Sequence, residues 1–354
     1  MRKLFILSVS LLMTWNLWAQ ETQETKGYQF TTVKEMPVTS VKNQGNSGTC
    51  WSFSGLSFIE SEIIRMGKGE HDLSEMYVVR RNYADKAEKY VRTQGNVNFA
   101  QGGSFADVVE TINEYGVMPE ETYKGLNYGE STHKHGEIES VLKGYVKALM
   151  PDDGGKKVLS PVWKNGFNAI LDTYFGAIPA TFDVAGKTYT PQEYAKSLGL
   201  NSDDYVSLTS YTHHPFYTAF ALEIPDNWRW APSYNLPIDE FMKAIDNALE
   251  NGYTVLWASD VSENGFSRSG IAVFPDDDAP ENVGSDQAHW LGLSPREKNA
   301  AMKTKLEAGP VKEKIVTQEE RQVGYDNYET TDDHGMHIYG IAKDQNGTKY
   351  YLVK

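Results

Sequence analysis

Among the 354 residues there is a single cysteine, Cys50, set in "VKNQGNSGTCWSFSG" at 41–55. A cysteine reacts as its thiolate. Cys50 stands where a helical pattern begins, and the unpaired N–H groups of a helix start favour thiolate and lower the pKa. Gly45 and Gly48 let backbone approach a ligand closely. Gln44, six residues upstream, can donate its amide toward an oxyanion formed beside the sulfur. Thiol, helix start and amide donor together suit acyl transfer. The competing reading is a plain packed thiol, since free cysteine is among the most buried residue types.

A thiol nucleophile needs a base. "TDDHGMH" at 331–337 brings two of the eight histidines to the mouth of an apolar run that reads as a strand. At such a loop-to-strand junction the ring of His334 is held while one nitrogen stays available. His337, three positions on, points to the opposite face, so only one of the two can meet Cys50. The same geometry weakens a metal-dependent hydrolase built on "DDHGMH", because diverging ligands chelate poorly and no third is evident. No metal and no other cofactor is expected. "QGGSF" at 101–105 is, on its own, a loop before a helix.

Taken together these stretches resemble a family. Gln44, five residues, then Cys50-Trp51-Ser52-Phe53 is similar to the active-site segment of papain-like cysteine peptidases. The resemblance implies that Cys50 is the nucleophile, Gln44 the oxyanion donor and His334, rather than His337, the base. It implies that Gly102 and Gly103 present backbone to an extended peptide substrate, as an added strand would. Trp51 is placed on the substrate side of the motif, and its indole is expected chiefly to pack. The long interval from Cys50 to His334, the absence of disulfides and segments such as "VLWASDVSE" resemble the bleomycin hydrolase and aminopeptidase C branch. That branch implies an aminopeptidase acting on peptides and a homo-oligomer, a hexamer in its better-known members. In the family the final strand, here "YYLVK" at 350–354, runs into Asn-Ser-Trp-Gly, whose asparagine orients the histidine. The expectation is therefore a chain cut short of that residue; the alternative is a peptide-binding protein of impaired activity.

The elements that must position these residues follow from pattern. Leu56, Ile59 and Ile63 form a helical stripe after Cys50, with Asn46 or Ser47 available as its cap and Gly67 as its stop. Further helices fit 74–90, a segment after "QGGS" ending at Gly116, 137–150, 238–251 and "SPREKNAAMKTKLEAG". "YTVLWASDV" reads as a strand and "GIAVFP" as another. The C-terminal residues 336–343 and 349–354 form a hairpin turned by "DQNG". The fold class expected is α+β, papain-like and two-lobed, with a large helical insertion. Its parts would be a leader at 1–19, an extended lead-in at 20–36, a helical lobe at 37–140, the insertion at 141–240 and a β lobe at 241–354.

A formal charge of −14 and the lack of basic runs exclude nucleic acid as a partner. Forty per cent hydrophobic residues, with 21 Tyr and 8 Trp, supply a core. "MRKLFILSVSLLMTWNLWAQ" has the short basic start and apolar stretch of a secretory signal. Its apolar run is short for a membrane span. The expectation is cleavage after Ala19 and a secreted or periplasmic protein with no membrane attachment.

Overall fold

The computed structural model describes residues 27–151, 158–262, 265–267, 269–276 and 295–354. The expected leader at 1–19 lies outside the described residues.

Helix α1 (Cys50–Arg65) buries Leu56, Ile59 and Ile63. Its cap is Thr49, with no side-chain cap bond. The expected cap Ser47 is otherwise engaged, its hydroxyl donating to the Gln44 carbonyl at 2.8 Å. Helix α2 (Glu75–Arg92) begins where the Ser74 hydroxyl accepts from the Tyr77 N–H. Helix α3 (Phe105–Tyr115) stops at Gly116, whose φ of 79° is a conformation glycine adopts at little cost.

Three more helices join this group: α4 (Gly136–Ala148), α5 (Trp163–Phe175) and α6 (Pro191–Leu198). Ile138, Leu142, Phe167, Leu171, Phe175 and Leu198 share one hydrophobic cluster with Leu56 and Ile59. The boundary expected at 141 thus falls inside a helix whose two ends serve one core. Nor is 141–240 helical throughout. Strands β2 (Phe182–Val184) and β3 (Lys187–Tyr189) pair, and β4 (Leu208–Thr209), β6 (Pro232–Asn235) and β5 (Ala219–Ala221) form a three-stranded sheet in that order.

The sheet nearest the site is built on β8 (His334–Lys343). It pairs antiparallel with β1 (Thr31–Glu35), β7 (Val255–Ser259) and β9 (Lys349–Val353). The end of the lead-in expected at 20–36 is a paired strand, with Thr31 opposite Lys343. Helix α7 (Ile238–Glu250) lays Ile245 and Leu249 on Met36, Ile338 and Ile341, a second core. Helix α8 (Pro295–Ala308) packs Met302 and Leu306 on Val273. Helix α9 (Gln318–Asp326) is capped by Thr317. "GIAVFP" makes isolated bridges, from Ala272 to Phe266 and from Pro275 to Glu313, and no strand. Among the described residues no helix is long and apolar enough to cross a membrane.

Candidate active site

Strand β8 lies against α1, and Gly335 is the residue that permits it. A Cβ there would come within 3.0 Å of the Ser54 hydroxyl and the Phe105 ring. With none, the Gly335 N–H reaches the Cys50 Sγ at 3.5 Å. That contact brings the backbone next to His334 up to the thiol. Cys50 and His334 line one cleft of about 860 Å³, with Gln44, Phe53 and Trp257.

His337 is elsewhere. It is fully buried, and its Nδ1 lies 2.9 Å from the Ser57 hydroxyl, about two helical turns beyond Cys50 on α1. Burial, with the Lys354 charge adding, pulls its pKa down to about 3. The start of β8 is fixed from outside the strand. Asp260, just past β7, accepts from the Thr331 N–H at 2.7 Å, and the Thr331 hydroxyl donates to Asp333 at 2.8 Å. The ring of His334 makes no hydrogen bond among the described residues.

The electrostatics differ from the expectation for a helix-start thiol. Burial pushes the Cys50 pKa up; the Gly335 and Trp51 N–H groups act against this, and the charges of Asp226 and Asp332 add to it. The helix start is present, but depth and two carboxylates outweigh it. Burial also lowers the His334 pKa, with Asp333 opposing. Both shifts favour the neutral forms, thiol and imidazole.

Gln44 turns its Nε2 to the Ser47 carbonyl at 2.8 Å. An amide has two N–H donors, so one remains for an oxyanion. The loop carrying it is pinned on both sides. Asn46 exchanges backbone bonds with His133 and His135. Beneath, Lys42 Nζ lies 3.0 Å from Glu60, 2.7 Å from Glu75 and 2.5 Å from Asp72. The Thr39 hydroxyl donates to the second Glu60 oxygen at 2.5 Å. Burial alone would lower the Lys42 pKa, but Glu75 and Glu60 outweigh it and hold it well above its usual value.

Trp51 is buried, donates its Nε1 to the Gln101 carbonyl at 3.0 Å, and is not among the residues lining the cleft. Gly102 and Gly103 lie in no strand. A Cβ on Gly102 would fall 2.1 Å from Asp226 Oδ2, and one on Gly103 2.9 Å from the Trp51 ring. The Gly102 carbonyl already accepts from Lys86 Nζ. The open edge implied for these glycines is thus partly covered, and what covers it is a carboxylate.

That carboxylate, Asp226, was not among the expected site residues. Its segment is bolted to the helices by its neighbours. Trp228 Nε1 donates to Asp107 at 2.9 Å, and Arg229 donates to Asp107 at 2.6 Å, Asp85 at 2.7 Å and Asn82 at 2.8 Å. Asp107 is fully buried. Burial raises the Asp226 pKa while the Lys86 charge acts against it. Asp332, two residues before His334, is pushed up to about 7 by burial, then by the charges of Asp226 and Asp333. Its buried Oδ2 has no hydrogen-bond partner. The "DDHGMH" residues do not converge on a metal position. Among the described residues the group that does is His213, His214 and Glu223.

Residues 27–166 match the family described as papain family cysteine protease. Aminopeptidase C of Lactobacillus delbrueckii subsp. lactis is 25% identical over 296 residues, covering 72% of this chain and 65% of that protein. The chain is thus similar to papain-family cysteine proteases over residues 27–166 and to an aminopeptidase C over most of its length. Aminopeptidase C of Listeria monocytogenes is 22% identical over 283 residues, covering 67% of this chain and 62% of the relative. The chain thus spans somewhat under two thirds of the length of these curated relatives. The crystal structure of PepW from Lactobacillus rhamnosis shares the fold, with a TM-score of 0.64, 19% identity, and coverage of 92% of this chain and 75% of that one.

Proposed function

We propose that the protein is a cysteine aminopeptidase, with Cys50 the nucleophile and His334 the base. The observation that supports this is the Gly335 N–H on the Cys50 sulfur, next in sequence to His334, with both Cys50 and His334 lining one cleft. His334 takes the thiol proton as the sulfur attacks the peptide carbonyl. The tetrahedral oxyanion accepts from the Cys50 backbone N–H and from Gln44. As the C–N bond breaks, His334 returns the proton to the leaving amine. Water then cleaves the thioester, with His334 again the base.

Preference for a free amino end is supported by Asp226 and Asp332. Both raise the Cys50 pKa, and each is raised by its own burial. A substrate ammonium set between them would offset the charge that opposes the thiolate. Binding of the right end would thereby favour the reactive form of the sulfur.

The test compares aminoacyl and N-acetylaminoacyl fluorogenic amides. Wild type should cleave the first far faster. Cys50→Ala and His334→Ala should each lower kcat by at least about 10³-fold. Unchanged turnover in Cys50→Ala would overturn the assignment. We further propose that residues 1–19 are removed on export, to be checked by amino-terminal sequencing of protein expressed with its own leader. Also proposed is the two-lobed arrangement, with the cleft between the helices and the β8 sheet.

A further inference from the structure

We propose that His213, His214 and Glu223 form a site for a first-row divalent cation of zinc type, on the surface where the loop before β5 meets α9. His213 Nε2 lies 3.1 Å from one Glu223 oxygen and His214 Nε2 lies 3.0 Å from the other. The ligand atoms of the three residues all lie within 4.8 Å of one another. Imidazole and carboxylate bonds to zinc are about 2.0–2.2 Å, so N···O edges of 3.0–3.1 Å suit two ligands on one ion.

Adjacent side chains usually diverge, so two neighbouring histidines facing one carboxylate need a reason. The loop supplies it. Asn235, fully buried, donates to the carbonyls of Tyr211 at 2.8 Å and His214 at 3.0 Å. Each ring is then held by an aromatic face. Phe220 stacks on His214 with centroids 4.1 Å apart, and Tyr325 of α9 stacks on His213 at 5.3 Å. The other nitrogen of His213 meets the Gln322 side chain, with Oε1 at 3.4 Å and Nε2 at 3.2 Å. Gln322 is itself fixed, accepting from the Thr212 N–H at 2.6 Å and donating to Asp326 at 2.9 Å. A ligating histidine whose second nitrogen is held in this way has its ring plane set in advance.

Two imidazoles and a carboxylate suit zinc, copper, nickel or iron better than calcium or magnesium, which prefer oxygen donors. The carboxylate is exposed and the rings are partly open, which leaves an entry path and positions for water. Without a cation the two Nε2–H groups donate to Glu223; with one, those protons leave and the ion takes their place. The ion would then tie the loop at 211–215 to the residue that follows β5.

The test uses the full chain carrying Cys50→Ala, so that the active-site thiol cannot compete, and titrates it with Zn²⁺ by calorimetry and with Co²⁺ by visible absorption. One equivalent should bind, with a Co²⁺ spectrum lacking thiolate charge transfer. Glu223→Gln and His214→Ala should each weaken binding at least about 100-fold, since losing an outer-shell partner alone costs 10–100-fold. Affinity should fall on acidification, since an imidazole must be unprotonated to ligate a cation. Circular dichroism of Glu223→Gln, an isosteric change at an exposed position, guards against loss of fold. No binding by the parent, or equal binding by both variants, would overturn the site.

Discussion

Two groups of carboxylates, one buried and one half-buried, flank the nucleophile's helix, and they are treated in opposite ways. Glu60, fully buried, and Glu75 lie beneath the Gln44 loop and share one cation, Lys42. Asp226 and Asp332 lie beside Cys50, and neither forms an ion pair among the described residues. The first group is closed: charge, countercharge and hydrogen bonds all come from the chain. The second has no such cation bonded to it among the described residues: the Asp332 Oδ2 is unpartnered, and Asp226 accepts only from Asn98 Nδ2 at 3.5 Å. Burying a carboxylate without a partner costs stability. On the function proposed above, the substrate ammonium is the cation that would complete the second group.

The largest effect should come from breaking the closed group. Lys42→Met leaves two buried carboxylates facing each other, and urea denaturation should show a loss of about 3–5 kcal/mol. Asp226→Asn and Asp332→Asn should not destabilise the fold in that way. Each should instead raise KM for aminoacyl amides by about 10–100-fold, the worth of a charged hydrogen bond, and leave the slow cleavage of N-acetylated substrates unchanged. If either Asn variant unfolds as readily as Lys42→Met, the two groups are alike and the contrast fails.

A smaller effect follows from the sign of the Asp332 shift. Its folded pKa, about 7, lies above its unfolded value, so its ionisation disfavours the folded state as pH rises from about 4 to about 7. The same ionisation creates the charge that an ammonium needs. KM for aminoacyl substrates should therefore fall as pH rises through about 7, and Asp332→Asn should flatten that limb. Smallest of all, Asp332→Asn should lower the Cys50 pKa, read from the pH dependence of iodoacetamide alkylation. A higher value would mean that the carboxylate does not act on the thiol.

The half of the site near Cys50 was legible because its parts are local. A helical stripe, a glutamine six residues back and a loop with glycines all lie within 41–63. His334 was legible at long range only through a motif, and Gly335 explains why that motif has a small residue there. Asp226 was not legible. Its place depends on Arg229 meeting Asp107, 122 residues away, and nothing local announces that pairing. "DNWRW" does carry the type of residues that anchor a loop, a tryptophan and an arginine with hydrogen bonds to make. The thiol's raised pKa was hidden for a related reason, since a sequence shows a helix start but not its depth. Strand β1 was missed because "TTVKE" is mostly exposed and is held by backbone pairing with β8. Helix α5 carries a clear stripe in Phe167, Leu171 and Phe175, masked by Gly166 and Asn168 near its start.

The contact between the Gly335 N–H and the Cys50 sulfur spans 285 residues. During synthesis the thiol leaves the ribosome long before the strand that brings its base. At usual elongation rates of about 5–20 residues per second, that interval is on the order of 15–60 seconds. Throughout it the nascent protein carries a cysteine without an imidazole beside it. Chain order thus keeps the proposed nucleophile and its proposed base apart until the last strands of the chain have been made.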